Sequence, residues 1–306
     1  MAAVTTGTPA AVFEEYRPLL TGLAYRLLGS MWDAEDIVQE AYLRWTRTDT
    51  TQVREPRAFL VTVVSRLALD QLRSARVTRE AYVGPWLPEP VDSRSVGPLD
   101  TAELRDTLAY ATLHLMERLT PPERAVFVLR EAFELPYDTL AEIVGTTPAN
   151  CRQLHHRAAK RLADERVGGG DSRPSASRTG RSGAAPSREH ALLVSRFIDA
   201  ARDGDLEGLT ALLSEDVVAW NDGGGKVRAA LRPVVGRARV LAFVTGLLER
   251  YSFEDLRLTE ANGQPALRLA LDGREQVTLF DIREDGLVHG VFAVLNPDKL
   301  GHLAPG

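Results

Sequence analysis

Apolar positions recur at helical spacing through the first half of the chain and in short alternating runs toward its end. Phe13, Tyr16, Leu20, Leu23 and Leu27 predict a helix over 13–28, and Gly29-Ser30 breaks it. In the next helix, Asp33–Trp45, Val38, Ala41, Tyr42 and Trp45 make an apolar stripe. Asp36, Gln39 and Glu40, with Glu35 beside them, make a polar one. A Thr-rich loop over 46–56 leads to a helix over 57–76 that carries Phe59, Val63, Leu67 and Leu69-Asp-Gln-Leu-Arg73.

The pattern is sharpest over 135–166. Leu140, Ile143 and Val144 predict a short helix, with Asp138 placed to cap it and Gly145 placed to end it. Thr147-Pro148 is a cap and first position for a second helix. There Cys151, Leu154, Ala158 and Leu162 share one stripe, while Gln153, His156, Arg157 and Lys160 share the opposite one, flanked by Arg152 and Arg161. This is a helix-turn-helix pattern, and its second helix presents cations for phosphates and paired donors for base edges.

Residues 81–100 are rich in proline around Trp86 and predict a stiff, extended linker; 167–188, dominated by Gly, Ser, Ala and Arg, predict a flexible one. Beyond it, helices are expected over 191–202, 206–213 and 237–250, with a strand over 216–220. Strand-like runs follow at 253–261, 266–271, 276–283 and 287–295, separated by Gly263, Asp272-Gly273 and Asp285-Gly286. Helices followed by an antiparallel meander predict an α+β cone.

Charge changes the picture only by its distribution. The chain has 306 residues and a net charge of −5, which argues against an indiscriminate nucleic-acid binder. Residues 1–188 hold 24 basic and 24 acidic groups, and 189–306 hold 13 and 18, so the C-terminal part is not the DNA-binding part. One cysteine excludes an internal disulfide and a multi-cysteine zinc site, and no metal or cofactor is expected. No export signal or bilayer-length apolar run is visible, which points to the cytoplasm and no membrane partner.

Asp33-Ala-Glu-Asp-Ile-Val-Gln-Glu40 followed by Asp70-Gln-Leu-Arg73 resembles region 2 of bacterial extracytoplasmic-function sigma factors. Leu135-Pro-Tyr-Asp-Thr-Leu-Ala-Glu-Ile-Val-Gly145, the basic helix after it, and the Thr120-Pro-Pro-Glu123 capping box resemble their region 4. Trp86-Leu87-Pro88-Glu89-Pro90, Asp222-Gly223-Gly224-Gly225-Lys226 and Asn296-Pro297-Asp298-Lys299-Leu300 are similar to motifs of a subgroup with a C-terminal extension, and residues 189–306 resemble SnoaL-like domains. The resemblance implies a multidomain chain: two all-α sigma domains (10–80 and 101–166), the linkers 81–100 and 167–188, and a SnoaL-like α+β cone over 189–306.

The resemblance also implies roles. Asp33, Glu35, Asp36, Gln39 and Glu40 would dock on the clamp of core RNA polymerase. Arg152, Gln153, His156, Arg157 and Lys160 would read the upstream (minus-35) promoter element. Arg54, Arg57, Arg66 and Arg73 would lie at the minus-10 element. The helix over 57–76 has Phe59-Leu-Val-Thr-Val and Arg66 where the family often has an aromatic-rich start and an asparagine. The three subgroup motifs would be regulatory contacts, making the cone an in-cis control domain with no separate anti-sigma protein. Cones of this type also bind small ligands or act as cyclases and isomerases; Asp222, Asp281 and His289 are the candidate groups for such chemistry. A satisfied structural role is favoured for His289.

Overall fold

The computed structural model describes residues 8–97, 101–167, 187–251 and 253–303. The flexible linker expected over 167–188 lies outside them, except where Val167 ends one helix and Ser187 starts the next. The chain divides into two compact units. The first comprises Met1–Thr78, Ser93–Thr107 and Met116–Arg161; the second comprises Arg79–Asp92, Leu108–Leu115 and Leu162–Gly306.

In the first unit, α1 (Pro9–Leu28) starts at Thr8, whose hydroxyl accepts from the Ala11 N–H, and Pro9 occupies a position where a missing N–H costs nothing. Gly29 ends it at φ 68°, and Ser30 immediately caps α2 (Met31–Arg47) by accepting from the Asp33 N–H. Phe13, Leu20, Leu23 and Leu27 are buried, as are Val38, Ala41 and Trp45 of α2; Tyr42 is half-buried, edge-on to Phe13 at 5.1 Å. In α3 (Pro56–Glu80) the deepest positions are Leu60, Val64 and Ala68, one residue on from Phe59, Val63 and Leu67. Phe59 lies against Trp45 at 5.8 Å instead.

Three helices follow the linker: α4 (Ala102–Leu108), α5 (Tyr110–Met116) and α6 (Pro121–Glu131). Arg26, 1 % exposed, donates to the Thr107 hydroxyl (3.1 Å) and to the Gly22 (2.9 Å) and Leu104 (3.1 Å) carbonyls, and burial draws its guanidinium down to about 10. The Arg26 carbonyl in turn accepts from Arg124 of α6, which also pairs with Glu117. These two buried arginines hold α1, α4 and α6 together. No periodicity signals them, because a polar residue on a buried stripe reads as a surface one.

The helix-turn-helix is α7 (Tyr137–Val144) and α8 (Pro148–Val167). Asp138 does not cap α7. Pro136 occupies the cap, its carbonyl accepting from the Leu140 N–H, and Asp138 falls inside the first turn, where its charge complements the helix dipole. Gly145 ends α7 at φ 78°.

The second unit contains α9 (Ser187–Asp203), α10 (Leu206–Leu212), α11 (Arg237–Arg250) and a six-stranded sheet. The strands are β1 (Leu213–Asp222), β2 (Val234–Val235), β3 (Phe253–Ala261), β4 (Gln264–Leu271), β5 (Arg274–Ile282) and β6 (Val288–Val294), in the order β2-β1-β6-β5-β4-β3. The antiparallel meander is present over β3–β6. Two features depart from expectation: β1 is longer than the run over 216–220 and pairs parallel to β6, and β2 adds a short edge strand. One sheet face, with Val217, Ala219, Leu269 and Phe280, packs on α9, α10 and α11. The other face, with Trp220, Leu279, Phe292 and Val294, is covered by Leu87, Tyr110 and Leu300.

His190 of α9 is 3 % exposed, and burial holds its imidazole below the ordinary 6.5, against a smaller opposing pull from Asp281. The unfolded chain takes up this proton below about pH 6.5 and the folded one resists it, so the stability His190 contributes is full above that pH and lost below. His190→Gln is expected to flatten the fall in thermal midpoint from about pH 7.5 to about pH 5. Equal falls in both proteins would contradict this.

Candidate promoter-reading surfaces and a buried motif junction

Helix α8 has the predicted two faces. Cys151, Leu154, Ala158 and Leu162 are buried, while Arg152, Gln153, His156, Arg157, Lys160 and Arg161 are exposed. Its start is capped by Thr147, whose hydroxyl accepts from the Asn150 N–H at 3.2 Å. The cations are not equivalent. Arg157 and Arg161 lie 3.6 and 3.2 Å from the Glu123 carboxylate. Burial opposes the Glu123 charge, but bonds from the Thr120 N–H and hydroxyl and the two arginines outweigh it and hold the carboxyl below its usual range. Arg152 lies over the Tyr137 ring, 5.2 Å from its centroid. His155 was not singled out by the pattern; it is tied to Glu131 at 2.7 Å and anchors α8 to α6.

On α2, Glu35, Asp36 and Gln39 are exposed, and Asp33 and Glu40 are partly covered. Asp33 accepts from Gln71 of α3 at 3.3 Å, and Glu40 from Arg44 at 2.9 Å. Trp32, 56 % exposed, sits at the start of this helix. Arg54, Arg57, Arg66 and Arg73 are all exposed. Arg66 donates to the Glu142 carbonyl (3.1 Å) and Arg73 pairs with Asp70 (3.3 Å).

The three subgroup motifs meet around one carboxylate. Asp222 is fully buried at the end of β1. One oxygen accepts from the Tyr82 hydroxyl (2.6 Å) and the Gly224 N–H (3.1 Å), the other from the Leu87 N–H (2.9 Å) and Lys299 (2.7 Å). All its lone-pair sites are filled. Lys299, 5 % exposed, also donates to the Leu87 carbonyl at 2.6 Å and lies over the Trp86 and Tyr82 rings at 4.1 and 4.7 Å. Asn296 donates to the Tyr82 oxygen at 2.9 Å, and Lys226 pairs with Asp298. Gly224 has φ 58°, and a Cβ there would meet the Asn296 amide nitrogen at 2.3 Å, so glycine is required. Burial, then the bond to Asp222, pushes the Tyr82 phenol well above its usual range.

The rest of the linker motif follows the same surface. Leu87 is buried in the sheet's outer core, and the Pro88 carbonyl accepts from the Tyr110 hydroxyl at 2.6 Å. Glu89 is buried 3.8 Å from His302, and Pro90 is buried beside it. Asn262, in the β3–β4 turn, accepts from the Val91 N–H (3.1 Å), donates its own N–H to the Val91 carbonyl (2.8 Å) and its amide to the Leu108 carbonyl (3.3 Å). Gln264 accepts from the Tyr110 N–H at 3.2 Å, and His114 packs on Trp220 (4.9 Å) and Phe292 (5.2 Å). Tyr82, Tyr110 and Asn262 were not legible as partners: a hairpin asparagine reads as a turn residue, whatever its amide binds.

The catalytic candidates do not converge. Asp222 is saturated by the junction, Asp281 pairs with Arg283 at 3.2 Å, and His289 lies between Asp285 (2.9 Å) and Asp216 (3.4 Å).

Three stretches of the chain match family models. Residues 12–78 match Sigma-70 region 2, residues 110–162 match Sigma-70 region 4, and residues 194–288 match the SnoaL-like domain. The chain is 39 % identical over 301 residues to the ECF RNA polymerase sigma factor SigJ of Mycobacterium tuberculosis, covering 94 % of this chain and 91 % of that protein. It is 32 % identical over 262 residues to the probable ECF RNA polymerase sigma factor SigI of the same organism, covering 78 % and 86 %. The crystal structure of M. tuberculosis SigJ matches it with a TM-score of 0.75 at 34 % identity, covering 96 % of this chain and 99 % of that one.

Proposed function

The chain belongs to the extracytoplasmic-function sigma factors of RNA polymerase, and on that premise we propose how its parts divide the work. The acidic face of α2, Asp33, Glu35, Asp36, Gln39 and Glu40, docks on the clamp of core polymerase. Arg152, Gln153, His156, Arg157 and Lys160 of α8 contact the upstream promoter element. Arg54, Arg57, Arg66 and Arg73 lie along the minus-10 region. Each contact is weak alone, and polymerase makes the second effectively intramolecular once the first is made.

The C-terminal domain is a regulator acting in cis, without a separate anti-sigma protein and without catalysis of its own. The observation that carries this is the buried junction at Asp222, which binds the linker between the two sigma regions at Leu87 and is closed by Lys299 from the tail. The same domain takes hold of α5, where the match to region 4 begins. A domain that grips both the linker and the start of region 4 controls how far apart the two DNA-contacting regions can be set.

Run-off transcription with core polymerase on genomic fragments tests the sigma assignment for this chain, and a chain ending at Leu295 tests the control. Without Asn296–Gly306 the junction loses Lys299 and Asn296, and transcript yield from the same template is expected to change while polymerase is still bound. Equal yields would refute the in-cis reading and leave the sigma assignment standing.

A further inference from the structure

We propose that Tyr137 is a positioning residue for Arg152: its ring holds the guanidinium in a set direction at the start of the recognition helix, before DNA arrives. The proposal rests on the reading of α8 as the promoter-contacting helix. Arg152 is exposed and sits one turn into α8, on the face that carries Gln153 and His156. An arginine there would ordinarily sample many rotamers, and fixing one for a two-point contact with a base edge would cost entropy at the moment of binding. The Tyr137 ring face, 5.2 Å from the Arg152 guanidinium carbon, removes much of that freedom in advance.

The ring is itself braced from three sides. Tyr137 is the first residue of α7, directly after Pro136, whose φ is locked by its own ring. Its hydroxyl lies 3.4 Å from His155 Nδ1, while His155 Nε2 lies 2.7 Å from Glu131. The His155 ring stacks on Phe127, with 21° between planes. Arg130 also lies over the Tyr137 ring, at 5.0 Å, with its Nη1 held by the Leu135 carbonyl at 3.0 Å. Two guanidiniums therefore share one ring.

Arg157 and Arg161 of α8 are held differently, by the Glu123 carboxylate. A carboxylate competes with phosphate and base acceptors for the guanidinium donors; an aromatic face leaves all of them free. Of these three, Arg152 is thus the arginine presented with its donors available, and Tyr137 is what keeps it so.

The test uses holoenzyme assembled from the full chain and core polymerase, on a promoter fragment found by run-off transcription. The ratio of affinity for the intact fragment to that for one with a scrambled upstream element is measured for four variants. Tyr137→Leu is expected to lower this ratio about three- to fivefold, the scale of an exposed cation–π contact, and Tyr137→Phe to retain it. Arg152→Ala should lower it at least as far, and Tyr137→Leu added to Arg152→Ala should lower it no further. A Tyr137→Leu loss that persists undiminished without Arg152, or is equally large in Tyr137→Phe, overturns the positioning role alone. An Arg152→Ala ratio equal to wild type removes the promoter-reading role of Arg152 and the inference with it.

Discussion

Asp222→Asn is expected to destabilise the C-terminal unit by about 3–5 kcal/mol, the usual cost of leaving a buried charge without its partner. The substitution keeps the shape of the side chain and removes only its charge. Lys299, 5 % exposed, then keeps its charge but loses the carboxylate that balances it. The new amide makes matters worse. It offers one oxygen where two were used, and its NH₂ would face donors: the Leu87 N–H and Lys299 on one side, or the Tyr82 hydroxyl and Gly224 N–H on the other. Lys299→Met alone should also be costly, since it leaves a fully buried carboxylate with neutral donors only. Combining the two should recover part of the loss, because the uncompensated charge is gone. Urea unfolding of the four proteins measures this. Were Asp222→Asn to lie within about 1 kcal/mol of wild type, the size of an exposed ion pair, the junction would not be the fastening described.

Asp36→Lys is expected to weaken binding to core polymerase at least tenfold, about 1.4 kcal/mol, with the folded state little changed. Asp36 is exposed on α2, one turn beyond Trp32, and no ion pair holds it among the described residues. Reversing its charge sets two like charges together on any basic partner surface, a larger penalty than losing one attraction. Glu40→Gln should do less than Asp36→Asn, because Glu40 already spends an oxygen on Arg44. Titrating fluorescently labelled protein with core polymerase gives the affinities, and the difference between wild type and Asp36→Lys should shrink as salt is raised. Wild-type affinity in Asp36→Lys would move the docking surface elsewhere.

The helical half was largely legible because its rules are local. Gly29, Ser30, Thr120, Gly145 and Thr147 each end or start a helix through bonds to residues three or four away, and the buried stripes of α2 and α8 follow from helical spacing. Asp138 fits the capping rule by residue type, yet α7 starts at Tyr137, so Pro136 takes the cap position and Asp138 falls in the first turn. In α3, Leu69 and Leu72 of the apolar residues the sequence marks are buried, while Phe59 lies against Trp45 and is only half-buried.

From the order of residues alone came the helix-turn-helix, the acidic and basic faces, the β3–β6 meander and the three motifs as units worth marking. None of these needs knowledge of what lies across the chain. The tertiary structure decided how the motifs meet: a carboxylate at 222, a linker at 82–91 and a lysine at 299 become one buried ion pair with an aromatic wall. It also decided that Arg26 and Arg124 are interior, that β1 runs parallel to β6, and that Asp222 faces the linker. Spacing along a helix or strand is set by backbone geometry within a few residues, whereas which distant groups pair is set by burial, and a polar side chain reveals its partner only once the chain has closed around both.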